Sequence, residues 1–182
     1  MKNNTINKKE IEKFSKIAEE WWDPNGKFKP LHMLNPCRLD YIIEMIRTEF
    51  ACDPAKVKPF SELTILDIGC GPAETVKYFS DVEYIGFDNN PAYIELAKRR
   101  FGDQGHFFCG QIDQVALEEF GAFDLVLAVG VLHHLDDSES LSLLKLAYRA
   151  LKEGGRLITY DGCYVEGQSK IAQFIILSLI HI

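Results

Sequence analysis

The 182-residue sequence is poor in basic residues and has no long apolar segment near its start. Its 20 Lys and Arg stand against 27 Asp and Glu, so the net charge is −7 and no basic stripe is available to neutralise nucleic-acid phosphates. The N-terminus is rich in Lys and Asn, which argues against a secretory signal and a membrane-spanning helix. We therefore expect a cytoplasmic protein that does not bind nucleic acid.

The sequence also lacks the cysteine pattern of a disulfide framework or a zinc site. Its five cysteines are odd in number and do not show zinc-type spacing, which favours reduced thiols. We interpret Cys70, which lies between two glycines, as a small residue in a tight turn rather than a nucleophile. With 47% hydrophobic residues and neither internal repeats nor low-complexity tracts, the chain is expected to form the core of one domain.

The segment Leu63–Gly71 has the pattern of an apolar strand that ends in Asp67 and continues into two glycines. Gly69 and Gly71 can adopt backbone angles that other residues avoid, and they let a ligand approach the chain closely. A second strand-like run ends at Asp88, seventeen residues beyond Gly71 (88 − 71), where an acid in a doubly wound sheet binds ribose hydroxyls. The two strand ends together predict an adenosine site.

The third glycine of the dinucleotide-binding pattern G-x-G-x-x-G is missing, because that position holds Glu74. A carboxylate there repels a pyrophosphate, whereas S-adenosylmethionine has no phosphate and carries a sulfonium and an ammonium. The pattern therefore favours an S-adenosylmethionine enzyme. A nicotinamide-dependent dehydrogenase is the enzyme alternative, and a non-catalytic cofactor-binding subunit is the alternative from another class of protein.

Strands and helices alternate along most of the chain, which predicts an α/β fold with a parallel sheet covered by helices on both faces. Before the first strand we expect a helix at Lys8–Ala18, a loop at Phe28–Arg38, and an amphipathic helix with Leu39, Ile42, Ile43 and Ile46 on one side. The elements expected after it are a helix near Glu74–Phe79, a strand near Val82–Phe87, a helix at Pro91–Phe101, a strand at His106–Cys109, a helix near Gln114–Phe120, a strand ending at Val129, a helix at Ser138–Leu151 and a strand starting at Arg156.

These motifs resemble those of the class I S-adenosylmethionine-dependent methyltransferases. Asp67, Gly69 and Gly71 are similar to the first motif of that family, and Asp88 is similar to its ribose-binding acid. The resemblance continues in the family's fourth strand and in its helix, turn and fifth strand, which correspond to Phe123–Val129 and Ala150–Ile158. It implies a Rossmann-like fold with S-adenosylmethionine as the cofactor.

The N-terminal third resembles a narrower family, the ubiquinone-biosynthesis O-methyltransferases, which methylate phenolic hydroxyls of polyprenylated rings. The resemblance runs through Glu12–His32 and continues through Leu34–Ile42. It implies a lipid substrate and hence association with the inner face of the membrane. For Trp21, Trp22 and Phe28, packing over the sheet is the alternative to contact with the substrate. Together the two resemblances imply that the cofactor is bound by Arg38, Asp67, Gly69, Gly71, Asp88, Asn89 and Val129.

Beyond Gly71 the sequence departs from the ubiquinone family. Pro72 replaces a third glycine, and Gly130-Val-Leu-His133-His134 replaces the Glu-x-x-Glu-His cluster of that family. In that family the acidic cluster is implicated in magnesium use. Because Mg²⁺ prefers oxygen ligands, the loss of both glutamates puts the magnesium dependence of this chain in question, and we assign no metal ligands. The inference about the substrate then rests on the first third of the chain alone. A general small-molecule methyltransferase and a chimaeric gene are the alternatives.

Methyl transfer to a phenol is helped by a base near the acceptor oxygen, and His is the usual base near pH 7. His133 and His134 follow the fourth strand at the carboxyl edge of the sheet, where open α/β folds bind ligands. We favour His134 as base or orienting group because it matches the family's histidine; helix capping or core packing is the alternative for both. Asp161 is a further residue that could face the substrate. Asp136-Asp137-Ser138 is interpreted as the N-cap of the next helix.

The expected organisation is an N-terminal helical lid segment at 1–60 and a cofactor-binding core at 61–176. Only about twenty residues follow the fifth strand, too few for the last two strands of a class I sheet, so we expect the C-terminal strands to be missing. Residues 177–182 correspond to one reading frame of a sequencing adapter and are interpreted as a non-native tail. The sequence leaves the oligomeric state open.

Overall fold

The computed structural model describes residues 26, 29–53, 55–110, 120–163 and 165–170. The predicted helix at Lys8–Ala18, the tryptophan pair, nearly all of the predicted helix at Gln114–Phe120 and the 177–182 tail lie outside these residues. In chain order the described elements are helix α1 (Lys29–Glu49), strand β1 (Thr64–Ile68), a short 3-10 helix (Glu74–Tyr78), strand β2 (Glu83–Asp88), helix α2 (Pro91–Phe101), strand β3 (His106–Cys109), strand β4 (Phe123–Val129), a second 3-10 helix (Leu132–His134), helix α3 (Asp137–Ala150) and strand β5 (Leu151–Tyr160).

Five parallel strands form one sheet in the order β3-β2-β1-β4-β5. The central strand is β1, and its neighbouring residues Ile65 and Leu66 are both 0% exposed. Because successive side chains of a strand point to opposite faces, this burial requires cover on both sides of the sheet. The predicted α/β class, a parallel sheet flanked by helices, is therefore confirmed.

The apolar stripe predicted for the helix before β1 packs against one face of the sheet. Ile42 and Ile46 of α1 are 0% exposed and share a cluster with Ile65 of β1 and Leu125 of β4. Burying such aliphatic side chains contributes about 1.5–3 kcal/mol each and fixes α1 on the sheet. The opposite face is covered by α3 through a second cluster, which includes Leu66, Phe87, Val126, Ala147 and Ala150.

The loop predicted at Phe28–Arg38 is wrong, because α1 already begins at Lys29. Pro30 lies in the first turn, where its missing N–H would have no helical partner in any case. Pro36 lies inside the helix and removes one backbone hydrogen bond. Burial of the apolar stripe in the following turns offsets that loss, so packing overrides the local signal of the two prolines.

Most other boundaries agree with the prediction within a few residues. Helix α2 and strand β3 have the predicted limits, whereas Glu74–Tyr78 is a 3-10 helix. Strand β5 begins at Leu151, five residues before the predicted start (156 − 151), but its register on β4 is interrupted between the Phe123↔Leu151 and Leu125↔Arg156 pairs. The regular ladder of β5 thus starts at Arg156, as predicted.

A capping box starts α3. Asp136 Oδ1 accepts the Glu139 N–H at 2.8 Å, and Glu139 Oε2 accepts the Asp136 N–H at 2.9 Å. The interpretation of Asp136 as an N-cap is confirmed, and the cap fixes the point at which α3 leaves the histidine segment.

Across the described residues, no helix has the length and apolar character needed to span a bilayer.

Ile46→Ala is expected to lower the free energy of unfolding by about 2–5 kcal/mol, because it leaves a cavity between α1 and the sheet. Urea unfolding measures this loss. The matched control is Met33→Ala on the same helix, whose side chain is 68% exposed; its effect is expected to stay below about 0.5 kcal/mol. Equal losses in the two variants would contradict the packing of α1 against β1.

Candidate active site

The turn after β1 leaves an open backbone surface at the carboxyl edge of the sheet. Gly69 (φ +71°) and Gly71 (φ +54°) both adopt the left-handed region, as their places in the motif predict. Gly69 and Cys70 donate their N–H groups to Phe87 O at 2.8 and 3.0 Å, which ties the turn to β2. A Cβ at Gly69 would lie 2.5 Å from Val131 Cγ2, whereas one at Gly71 would meet nothing within 4 Å. The turn is therefore packed at its start and open at its end.

Cys70 is a packing residue in this turn. All five cysteines are described and none forms a disulfide, and Cys70 alone among them is buried. Burial, followed by the nearby Asp67 and Asp88 carboxyls, raises the pKa of its thiol well above the usual range. Because only the thiolate is a good nucleophile, the structure supports the predicted packing role of Cys70.

Asp88, at the end of β2, is bonded to the same turn. Its Oδ2 accepts the Gly71 N–H at 2.9 Å and its Oδ1 accepts the Asn90 N–H at 2.8 Å. Burial raises the pKa of Asp88, and the two backbone hydrogen bonds oppose this rise. Each carboxylate oxygen keeps acceptor capacity for a further hydroxyl. Asn89, also predicted for the site, follows directly and precedes Asn90, the N-cap of α2.

Asp67 is a buried acid in β1, with 2% of its surface exposed. Burial, the largest cause, raises the pKa of its carboxyl to about 7. The hydrogen bond from Tyr84 opposes this rise. The negative charge of Asp88 adds to it, and the positive charge of Arg38 opposes it. The Tyr84 hydroxyl donates to Asp67 Oδ2. Sequence reasoning missed Tyr84, because an aromatic residue inside a strand has the pattern of a core residue.

Arg38, predicted for the site, lies on α1. Burial lowers the pKa of its guanidinium, and Tyr160, Asp67 and Tyr78 act in the opposite direction. The charge of Arg38 is thus held close enough to Asp67 for the two side chains to influence each other. Arg38 and Asp67 are 29 positions apart in the chain (67 − 38), and the fold brings them within electrostatic range of each other.

The second 3-10 helix carries two histidines at the same edge of the sheet. His133 Nδ1 lies 2.8 Å from Asp161 Oδ1, and the His133 backbone N–H donates to the same oxygen at 3.3 Å. The ring centroids of His133 and His134 are 4.0 Å apart. His133 is partly buried and His134 is exposed, so neither ring belongs to the core.

Val129 ends β4 beside the end of β5, where it pairs in register with Tyr160. The next residue, Gly130 (φ +72°), donates its N–H to Tyr160 O at 2.8 Å. The Tyr160 ring lies 6.3 Å from the ring of Tyr41 on α1, measured between centroids. Val129 and the two histidines are therefore placed at a strand edge that α1 also reaches.

Two neighbouring cations partly neutralise the negative charge of the Glu74 carboxylate. It forms ion pairs with Lys77 and Arg100. These cations reduce the field that a nearby phosphate would meet. Repulsion of a pyrophosphate by Glu74 is thus a weaker argument against a dinucleotide than the sequence alone indicates.

The residues at this edge do not suit magnesium. Gly130 offers no side-chain ligand, and the His133 and His134 rings offer nitrogen, whereas Mg²⁺ prefers an octahedral set of oxygens. In the part of the chain that the structure describes, no three His, Cys, Asp or Glu side chains are grouped so that they could hold a metal ion. We therefore derive no catalytic step from a metal.

Gly69→Ala is expected to destabilise the chain more than Gly71→Ala. Both place a Cβ at positive φ, which costs roughly 1–2 kcal/mol, but only the Cβ at Gly69 meets Val131. Urea unfolding without ligand measures the difference. Adding Val131→Ala to Gly69→Ala is expected to relieve the clash and leave the backbone strain. Identical losses for the two glycine variants would show that the turn is not packed as described.

Asp67 is expected to make the free energy of unfolding fall as the pH rises from about 4 to about 7. Its folded-state pKa of about 7 lies above the ordinary value of 3.8, so the unfolded chain releases a proton in this range that the folded chain keeps. Asp67→Asn cannot ionise and should flatten the decline. Urea unfolding at several pH values measures both slopes, and slopes of equal size would refute the raised pKa.

Comparison with known proteins places the chain in one family. The family described as "Methyltransferase domain" matches residues 66–159, just over half of the chain. The ubiquinone biosynthesis O-methyltransferase of Ruegeria pomeroyi is 42% identical over 156 residues, which are 84% of this chain and 62% of that protein. The enzyme of the same name from Pelagibacter ubique is 41% identical over 159 residues, 84% of this chain and 63% of that protein. The chain thus spans about three-fifths of the length of these curated relatives.

Solved structures agree on the fold. Magnesium protoporphyrin IX methyltransferase from Synechocystis, solved with bound S-adenosylmethionine, matches with a TM-score of 0.63 at 16% identity, over 91% of this chain and 78% of that one. At this identity the likeness shows the fold alone, and it confirms the predicted Rossmann-like class I arrangement.

The alternative of a chimaeric gene loses its support. A single relative is similar over 156 residues, more than either the 70 residues up to position 70 or the 112 residues after it (182 − 70) could supply. The similarity to ubiquinone enzymes therefore includes residues on both sides of position 70 and is not confined to the N-terminal third. The chain belongs to the methyltransferase domain family.

Proposed function

We propose that the chain binds S-adenosylmethionine and transfers its methyl group to a phenolic hydroxyl of a polyprenylated ring, in ubiquinone biosynthesis. The observation that carries the proposal is the hydrogen bond from the Gly71 N–H to Asp88, which sets a carboxylate beside an open glycine turn. The relatives named ubiquinone biosynthesis O-methyltransferase support the choice of substrate, because they are similar across most of the chain.

The residues around this turn fit S-adenosylmethionine. No side chain crowds Gly71, since a Cβ there would meet nothing within 4 Å, and the remaining lone pairs of Asp88 can accept ribose hydroxyls. Asp67 and Arg38 offer opposite charges to the ammonium and the carboxylate of the methionine portion, and a cation beside Asp67 favours its ionised form. The proposed cofactor-binding set is Arg38, Asp67, Gly69, Gly71, Asp88, Asn89 and Val129.

When bound, S-adenosylmethionine supplies an electrophilic methyl group on a sulfonium. The chain itself must hold the acceptor oxygen in line with that methyl group, exclude water and remove the phenolic proton. A phenol with an ordinary pKa near ~10 is a weak nucleophile until a base takes its proton. His133 and His134 lie at the carboxyl edge of the same sheet and are the candidate bases.

A polyprenyl tail would bring the enzyme to a membrane surface through its substrate. We propose peripheral association at the inner face of the membrane, with the protein otherwise in the cytoplasm. Residues 1–60 are proposed to act as a helical lid on the 61–176 core; the support for this is that α1, within that segment, carries Arg38, whose charge acts on Asp67.

The test is transfer of a labelled methyl group from S-adenosylmethionine to a catechol that carries a short prenyl tail. A labelled ether is the expected product, and the same compound with both hydroxyls already methylated is the matched control that stays unlabelled. Binding of S-adenosylhomocysteine without any labelling would overturn the proposed substrate. Equal kcat/KM for a catechol without the tail would favour a general small-molecule methyltransferase.

Asp88→Ala is expected to weaken S-adenosylhomocysteine binding on the order of 10²–10⁴-fold, because two hydrogen bonds to a charged acceptor are lost. Calorimetry measures the affinity, and circular dichroism checks that the variant is folded. The control Glu95→Ala removes an exposed acid from α2 and should leave binding unchanged. A folded Asp88→Ala with wild-type affinity would mean that Asp88 only fastens the turn.

A further inference from the structure

His133 and Asp161 form a pair that joins two neighbouring strand ends. Asp161 is the first residue after β5, and His133 lies four residues after the end of β4 (133 − 129). One carboxylate oxygen, Asp161 Oδ1, contacts both the ring Nδ1 of His133, at 2.8 Å, and its backbone N–H, at 3.3 Å. The two contacts fix the backbone and the ring of His133 relative to β5.

This geometry assigns the proton within the imidazole. An ionised carboxylate can only accept a hydrogen bond, so the 2.8 Å contact requires a proton on Nδ1 of His133. A neutral His133 then carries its lone pair on Nε2, which is the nitrogen that can accept a proton. The side chains of His133 and Asp161 are 18% and 16% exposed. That burial shields a charge-assisted bond from water and still leaves the pair accessible to a ligand.

Gly130 keeps one edge of the His133 ring uncovered. A Cβ at Gly130 would lie 3.8 Å from His133 Cε1, the carbon between the two ring nitrogens, and apart from the adjoining residues 129 and 131 nothing else comes within 4 Å of it. Because Gly130 has no side chain, this space stays available to an acceptor.

We propose that His133 is the base that takes the phenolic proton of the acceptor, and that Asp161 is its positioning residue; this rests on the proposed function. As the acceptor oxygen forms its bond to the methyl carbon, the carbon–sulfur bond breaks with its electron pair left on sulfur, and the hydroxyl proton moves to His133 Nε2. Asp161 stabilises the imidazolium, which then gives the proton to water. His134, which the sequence favours, is the neighbour of the base rather than the base.

The first test reads the tautomer of His133 by ¹⁵N NMR of the imidazole nitrogens, at a pH at which the rings are neutral. The wild-type protein is expected to hold His133 as the Nδ1–H tautomer, and Asp161→Asn to lose that preference; His133→Gln identifies the signal. Asp103→Asn, which changes an exposed acid just before β3, is the matched control and should leave the signal unchanged. An Nε2–H tautomer of His133 in the wild-type protein would overturn the proposal.

The second test measures kcat and KM with the short-tailed prenylated catechol. His133→Gln is expected to lower kcat on the order of 10²–10⁴-fold and to leave S-adenosylhomocysteine affinity unchanged. Asp161→Asn should lower kcat by a smaller factor, again without loss of cofactor affinity. The matched control His106→Gln changes an exposed histidine at the start of β3 and should keep wild-type activity.

Two failures are distinguishable. Methylation that survives His133→Gln but is lost in His134→Gln would overturn the role of His133 alone. Absence of methylation by the wild-type protein would overturn the proposed function, and the role of His133 as base with it.

Discussion

The 2.9 Å hydrogen bond from the Gly71 N–H to the Asp88 carboxylate joins the turn after β1 to the end of β2. The N–H groups of Gly69 and Cys70 reinforce it by donating to Phe87 O. These contacts depend on the parallel sheet, because parallel strands bring their carboxyl ends to the same edge. With β1 between β2 and β4, the turn, Asp88 and the histidine segment all lie at this edge. A ligand bound at this edge therefore contacts several strand ends at once.

The same edge holds two carboxyl groups that are buried from water. Asp67 and Asp88 both have raised pKa values, in each case mainly because of burial. Burying acids in this way works against folding unless hydrogen bonds and opposite charges compensate. Tyr84 and Arg38 compensate Asp67 only in part, since its pKa still rises to about 7. A positive charge beside Asp67 would add to this compensation, so the burial of these two acids favours a cationic ligand over an anionic one.

Local chemistry explains which features could be predicted from sequence. Gly71 and Asp88 could be identified because the motif requires backbone freedom and a carboxylate at neighbouring strand ends; the hydrogen bond between them is a finding of the structure. The start of α1 could not be predicted, because Pro36 signals a helix end locally and only packing against the sheet overrides it. The contact of His133 with Asp161 spans 28 residues and exists only through the register of β4 on β5. Neither residue alone carries a signal of that contact.

We propose that the glycine turn and Asp88 bind an S-adenosyl nucleoside and not a dinucleotide. Calorimetric titration of the folded chain with S-adenosylhomocysteine and, separately, with NAD distinguishes the two ligands. We predict saturable binding of S-adenosylhomocysteine at one site per chain and no binding of NAD. Saturable heat from NAD, with none from S-adenosylhomocysteine, would contradict the claim.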